Sequence, residues 1–342
     1  MKAMVLERFR EPLVQQTLPE PDIDAQEVLV RVRANGVCAT DLKMVDGLVP
    51  AVRLPHVLGH EVAGEVVEVG QDVEGLRPGD HVTVYPTHGC GFCDVCRTGY
   101  ENLCEGAPRT GFEVYGGFAE YMRTRGRNAV KIDDAVPFDE AAILPDAVAA
   151  PYHGVVRRGK VRVGETVVVI GVGGLGIHAV QIARIMGARV IAADVVSEKL
   201  RAAEEFGAEV VAADEEKGLA ARVKELTNGL GADVVVECVS GDIVLDVLQQ
   251  SAACLRIGGR LVVLGYAYGQ PLSLDSADLI YGQWSILASR ASTLQDVVDV
   301  ARLVERGMLK PAVSERFPLE QANEALTCLR ESSPLGRIVL TS

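Results

Sequence analysis

Ten consecutive residues leave this chain few folds to adopt: Val167-Val168-Val169-Ile170-Gly171-Val172-Gly173-Gly174-Leu175-Gly176. Four β-branched side chains in a row read as a strand buried on both faces, and the glycines end it in a tight turn. Leu175–Met186 follows with the length and apolarity of a helix, and Arg189–Ala193 reads as the next strand. Strand, turn, helix and strand form a βαβ unit of a doubly wound parallel sheet. In such a unit Gly171, Gly173, Gly174, Leu175 and Gly176 bring backbone N–H groups up to the pyrophosphate of a dinucleotide. Asp194 ends the next strand, where it is placed to accept hydrogen bonds from the adenosine ribose and to repel a 2′-phosphate. Val195 and Val196 supply no arginine for that phosphate, so NAD is expected rather than NADP. The other reading of Asp194 is a loop cap. Lys199 is either a surface helix charge or a second ribose contact.

The rhythm of the chain differs on either side of this unit. Before about residue 145 it consists of short strands with turn punctuation: Glu27–Val37, His60–Gly70, and Asp80–Tyr85 after the Pro78-Gly79 turn. That density suggests a small barrel or sandwich. Strands Asp233–Glu237 and Arg260–Leu264 continue the parallel sheet, the latter near its edge and apolar enough to seek a partner. After about 287 come helices Leu294–Glu305 and Leu319–Leu329 and a closing strand, Arg337–Leu340. At 342 residues two domains are expected. A net charge of −13 argues against nucleic-acid or membrane-surface partners, which require a basic footprint. No apolar run approaches a membrane span, and the N-terminal residues lack a signal-peptide core, so a cytoplasmic protein is expected.

Two groups of metal-ligand residues lie in the first part. Cys90, Cys93, Cys96 and Cys104 are spaced too closely for a disulfide framework, and Gly89, Gly91 and Gly99 allow the intervening chain to fold tightly. Four thiolates make a closed tetrahedral site of structural type. Cys38 and His60 form the second group, each with a carboxylate close by, Asp41 and Glu61. One soft and one borderline ligand, oriented by neighbouring acids, suit zinc with a position left open for chemistry. A third ligand is required, and Asp146 in Leu144-Pro145-Asp146-Ala147 offers a carboxylate; the same residue would serve equally as a helix N-cap.

Taken together, Cys38-x-Thr40-Asp41, Gly59-His60-Glu61-x2-Gly64, the four-cysteine lobe and the glycine fingerprint with Asp194 resemble the zinc-dependent alcohol dehydrogenases of the medium-chain dehydrogenase/reductase superfamily. The resemblance runs from Met1 to Gly336-Arg337-Ile338-Val339. It implies an α/β architecture with a GroES-like β-barrel catalytic domain and a Rossmann NAD-binding domain inserted in it. The expected spans are 1–149 with a structural-zinc lobe at 87–108, then 150–287, then a return segment at 288–342. It implies Cys38, His60 and Asp146 as ligands of a catalytic zinc, Glu61 as a glutamate that approaches the metal during ligand exchange, and Asp41 as the partner of His60. Lys199 becomes a ribose-binding lysine and Arg337 an arginine reaching the cofactor pyrophosphate, where taken alone Arg337 would read as a surface charge on an edge strand.

The implied reaction is reversible hydride transfer between a primary, secondary or cyclic alcohol and NAD, with two zinc ions per chain. Thr40 would take the hydroxyl proton; by itself it reads as a cap at a helix start. The family commonly has a histidine three residues after that threonine to finish the proton relay, and here the position is Lys43. Polyol, threonine, sugar or hydroxyacyl-thioester dehydrogenases share these motifs and differ in the substrate pocket. A zinc-free reductase of the same fold would lack Cys38, His60 and the cysteine lobe, and a nucleotide-binding scaffold or sensor would not need an open metal position. Relatives of this kind are tetramers, so a homotetramer, or at least a homodimer, is the expected assembly.

Overall fold

The computed structural model describes residues 1–213, 218–241, 243–269, 271–332 and 334–342. The chain divides into two compact units, residues 1–149 with 292–342 and residues 150–291.

The first unit is organised around strand Glu27–Val37. Its buried valines, Val28, Val30 and Val32, meet Val62, Val66, Val82, Val84 and Met122 in one apolar cluster. Burying each such valine stabilises the fold by roughly 1.5–3 kcal/mol. Glu61–Val69 pairs antiparallel along one side of this strand. On the other side Tyr121–Arg125 pairs with its first half and Arg337–Thr341 with its second. Val313–Pro318, His81–Val84 and Ala129–Lys131 complete a seven-stranded sheet, and Val14–Thr17, Lys2–Leu6 and His56–Val57 make a separate three-stranded one.

Register here decides function. Gly36 lies opposite Glu61, and Val37 lies opposite Ile338. The residues just past these pairs, Cys38, His60 and Arg337, are therefore delivered to the same end of three adjacent strands. A shift of one residue in either pairing would turn each of them to the wrong face.

The second unit is a six-stranded parallel sheet in the order Glu209–Ala212, Arg189–Asp194, Thr166–Ile170, Ala232–Glu237, Leu255–Val263, Ser285–Ala288. Strand order reverses between Thr166–Ile170 and Ala232–Glu237, the switch point at which open α/β sheets bind ligands. Helices Gly176–Ile185, Ser197–Glu205, Leu219–Leu226 and Val244–Ala253 connect the strands.

Three expectations change. The strand expected at Arg260–Leu264 belongs to a longer one, Leu255–Val263, and lies near the edge as expected; the edge strand beside it is Ser285–Ala288, whose four residues carry no alternation that would announce a strand. Helix Leu319–Leu329 opens with a 3-10 turn, Leu319–Gln321, before Ala322–Ser332. The strand carrying Arg337 is flanked on both sides, and the residue is buried, so it is neither at an edge nor a surface charge.

Glu237 ends its strand at the switch point, wholly buried, with Val239 N–H donating to Oε1 and Gly265 N–H donating to Oε2 at 3.3 Å. Burial outweighs these two donors and pushes the carboxyl from its ordinary 4.5 up to about 7. Between those values the folded chain holds a proton that the unfolded chain has lost, so stability falls as pH rises through the window, by about 3 kcal/mol in all. Unfolding free energies measured from pH 5 to 8 should show this descent in the parent and lose it in Glu237→Gln; an equal descent in both would remove the assignment.

Candidate metal centre and cofactor site

The metal centre is built by strand ends and glycines. Cys38 caps helix Ala39–Val45, and its backbone N–H donates to Asp41 Oδ2 at 2.8 Å. The other oxygen of the same carboxylate lies 3.3 Å from His60 Nδ1, close enough for an ion pair though not aligned as a hydrogen bond. Asp41 is fully buried, so this one carboxylate fixes both a cysteine and a histidine. Thr40 lies inside the helix rather than at its cap, and Lys43 follows three residues later on the same side. Burial lowers the Lys43 ammonium below its ordinary 10.5, with Cys38 opposing the shift.

His60 reaches this place because backbone packs directly on backbone. A Cβ on Gly116 would lie 2.1 Å from Gly59 O, and one on Gly111 would lie 2.8 Å from the same atom. Gly59 itself has a φ of +97°, which a side chain would strain. Phe112 closes the arrangement with its ring centroid 5.2 Å from that of His60. Sequence reasoning passed over a further glycine, Gly36: a Cβ there would lie 1.9 Å from Glu61 Oε2, so only glycine leaves room for that carboxylate. A glycine inside a strand, flanking a ligand motif, was the available signal.

Asp146 enters from a distant segment. It sits within a π-helical turn, Leu144–Val148, and so is not an N-cap. Its Oδ2 lies 3.5 Å from Cys38 Sγ and 3.7 Å from His60 Nε2. One ligand atom from each of Cys38, His60, Glu61 and Asp146 lies within 4.8 Å of the others. Tetrahedral bonds of about 2.0–2.3 Å need ligand atoms roughly 3.3–3.8 Å apart, and the measured separations fit. Charge fits as well. Asp41, Glu61, Asp146 and the Cys38 thiol face one arginine: Arg337 binds Glu61 at 2.7 and 3.1 Å and Asp146 at 3.2 Å. A cluster of acids of this kind is able to accept a further cation.

Titration behaviour follows from the same crowding. Burial disfavours a charged His60, yet Asp41 and Asp146 raise it well above its ordinary value. Burial drives Glu61 well up, with Arg337 opposing. Asp146 is equally desolvated, but His60 and Arg337 win and hold it below the usual carboxylate range.

The four cysteines expected to act together do meet. Their sulfurs lie within 4.8 Å of one another, with Cys90–Cys96 and Cys93–Cys104 each at 3.8 Å. That is the edge of a tetrahedron with bonds of about 2.3 Å and far too long for a disulfide. Backbone N–H groups of Phe92 and Cys93 draw the Cys90 thiol down to about 6, which prepares it as a thiolate.

In the second unit, the glycine turn follows strand Thr166–Ile170. Gly171 has a φ of +84°, and a Cβ on Gly176 would lie 1.8 Å from Gly171 O. Nothing lies within 4 Å of a Cβ built on Gly173, which leaves space for a phosphate to approach. Asp194 Oδ2 accepts from Val172 N at 2.7 Å and Oδ1 from Val196 N at 2.9 Å. It does cap both loops, but each oxygen keeps a lone pair for a ribose hydroxyl. Lys199 is buried, which removes the surface-charge reading.

Comparison with known proteins agrees. Residues 24–134 match the family described as alcohol dehydrogenase GroES-like domain, and residues 174–306 match zinc-binding dehydrogenase. An alcohol dehydrogenase of Geobacillus stearothermophilus is 35% identical, covering 99% of both chains. A D-arabinose 1-dehydrogenase (NADP(+)) of Saccharolobus solfataricus is 34% identical over 99% of this chain and 97% of its own. The crystal structure of an alcohol dehydrogenase from the archaeon Aeropyrum pernix superposes with a TM-score of 0.92 at 34% identity, covering 100% of each chain.

Proposed function

This chain belongs to the zinc-dependent alcohol dehydrogenases of the medium-chain dehydrogenase/reductase superfamily, and from that membership we propose the following roles for its residues. It is an oxidoreductase that passes a hydride between an alcohol and NAD, reversibly to the aldehyde or ketone. The observation that carries the reading is the meeting of Cys38, His60 and Asp146 in one cluster, with Asp41 behind His60.

Residues 1–149 and the return segment form the GroES-like catalytic domain, with a structural-zinc lobe at 87–108, and the parallel-sheet unit binds NAD. Cys90, Cys93, Cys96 and Cys104 hold one zinc, and Cys38, His60 and Asp146 hold the other, with Glu61 in reach of it. Zinc at the open site supplies the Lewis acidity that makes an alcohol hydroxyl acidic near neutral pH. NAD supplies the hydride acceptor.

The chain's own residues do the rest. Asp41 holds His60 and the Cys38 backbone in the ligand geometry, so no reorganisation is needed when the metal binds. The Thr40 hydroxyl takes the substrate proton as it passes its own on, and Lys43, one turn further along the helix, accepts that proton as the neutral amine that burial favours and releases it to solvent in place of the usual histidine. Arg337 balances Glu61 and Asp146. The pyrophosphate contact implied by the resemblance would draw it away from them. Gly171, Gly173, Gly174, Leu175 and Gly176 cradle the cofactor phosphates, and Asp194 and Lys199 hold the ribose. Exposed Val195 beside Asp194 favours NAD over NADP.

The substrate is a small alcohol or carbonyl compound, and the acidic chain needs neither nucleic acid nor membrane. Among the described residues no helix is long and apolar enough to cross a membrane. A cytoplasmic location is part of the proposal. The assembly is a homotetramer built from dimers. Edge strand Ser285–Ala288 and the neighbouring Ile257, Ile280 and Tyr281, which are 75%, 73% and 85% exposed, form the dimer face.

On a panel of primary, secondary and cyclic alcohols, oxidation should proceed with NAD and be much slower with NADP. Thr40→Ser should keep most of the turnover, while Thr40→Val should lower kcat roughly 100-fold or more. Turnover by Thr40→Val at the parent rate would end the relay assignment. Sedimentation velocity should give a tetramer that Tyr281→Asp splits; a monomeric parent chain would contradict the proposed assembly.

A further inference from the structure

Ser292 and Leu294, two residues apart, bond to residues that neighbour the two metal groups of the first unit in sequence. Ser292 is 1% exposed, and its hydroxyl donates to the backbone carbonyl of Pro145 at 2.9 Å. Pro145 immediately precedes the ligand Asp146 in its π-helical turn. That turn is held internally by a long-range step, Val148 N–H to Ile143 O at 3.2 Å, a winding that local preference seldom sustains on its own. An anchor from outside is what such a turn requires.

The other end of the same segment is tied to the cysteine lobe. Leu294 N–H donates to the Glu101 carboxylate. Glu101 is wedged against Gly89: a Cβ on that glycine would lie 2.7 Å from Glu101 Cβ and 3.2 Å from Cys96 Sγ. A second strut runs from the root of the lobe. Tyr85 Oη donates to Ser292 O at 2.9 Å, and Asn128 Nδ2 donates to Tyr85 O at 2.8 Å and Thr87 O at 2.9 Å. Beside them lies an open pocket of about 160 Å³ lined by Tyr85, Cys96, Glu101 and Leu294 among others. Thr293 and Asp296 brace the segment by capping helix Leu294–Glu305 from both sides.

We propose that Ser292 is a positioning residue for Asp146, and that with Glu101 and Tyr85 it makes metal affinity at the open site depend on an ordered, metal-filled cysteine lobe. The inference rests on the reading of Cys38, His60 and Asp146 as a metal site. The closed site is then more than a local brace: emptying it loosens a ligand of the other site through contacts that never touch the metal.

The test is a titration of the open site with Co2+ in enzyme that retains zinc in the cysteine lobe, read by the visible d–d bands and by competition with a chelating dye. Ser292→Ala should weaken Co2+ binding about 10-fold or more, the range in which outer partners of metal ligands act. Ser292→Thr, which keeps the hydroxyl, should restore most of it. Glu101→Ala and Tyr85→Phe should each weaken binding several-fold, with the lobe zinc still present and the circular dichroism unchanged. Affinities within twofold of the parent for both Ser292→Ala and Tyr85→Phe would overturn the inference. Cys38→Ala separates the two levels: if it leaves the Co2+ spectrum intact, the metal-site reading itself fails and this inference falls with it.

Discussion

A single buried carboxylate, that of Asp41, holds the centre of this protein together. One oxygen takes the backbone N–H of Cys38 and the other faces the ring of His60, so two ligands on separate strands share one support. The cost of burying an unpaired acid is large, and the polar contacts on both sides offset it. Around that anchor, strand register brings Cys38, His60 and Arg337 to one end of the sheet, and glycines remove the side chains that would keep backbone and carboxylate apart.

Electrostatics then explain why a metal belongs there. The carboxylates of Asp41, Glu61 and Asp146 outnumber the guanidinium of Arg337, and Asp41 and Asp146 raise His60 against the effect of burial. The cysteine lobe solves a similar problem differently. Its four sulfurs stand near the corners of a tetrahedron, and backbone donors ready Cys90 for ionisation, but four sulfurs fill a tetrahedral shell and leave no position for substrate. One group is of sulfur alone, the other mixes sulfur, nitrogen and oxygen, and the bonds of Ser292 and Leu294 run between the segments that carry them.

Local features were legible in the sequence. The cysteine spacing, the valine strand ending in glycines, and helix Leu294–Glu305 each follow from periodicity or spacing within a few residues, and the structure has them in place. The residues alone left Asp146 between third ligand and helix N-cap; the family resemblance favoured the ligand, and it does join the cluster, 108 residues from Cys38 in sequence. What escaped depends on long-range register. Arg337 looked exposed because its strand closes the chain, yet that strand is inserted between two others. The true sheet edge, Ser285–Ala288, has four residues and no alternation. Asp194 was read as ribose ligand or loop cap when its two oxygens allow both. Gly36 is explained only by the carboxylate that lies across from it.

On the proposed ligand sets, one chain holds two zinc ions in unlike shells, four sulfurs in one and a single sulfur with nitrogen and oxygen in the other. X-ray absorption at the zinc edge, with metal content measured on the same sample, tests this directly. Two zincs per chain with an average of about 2.5 sulfur ligands each is the predicted result. One zinc per chain with about four sulfurs would mean that Cys38, His60 and Asp146 do not hold the metal, and the mechanism built on them would fail.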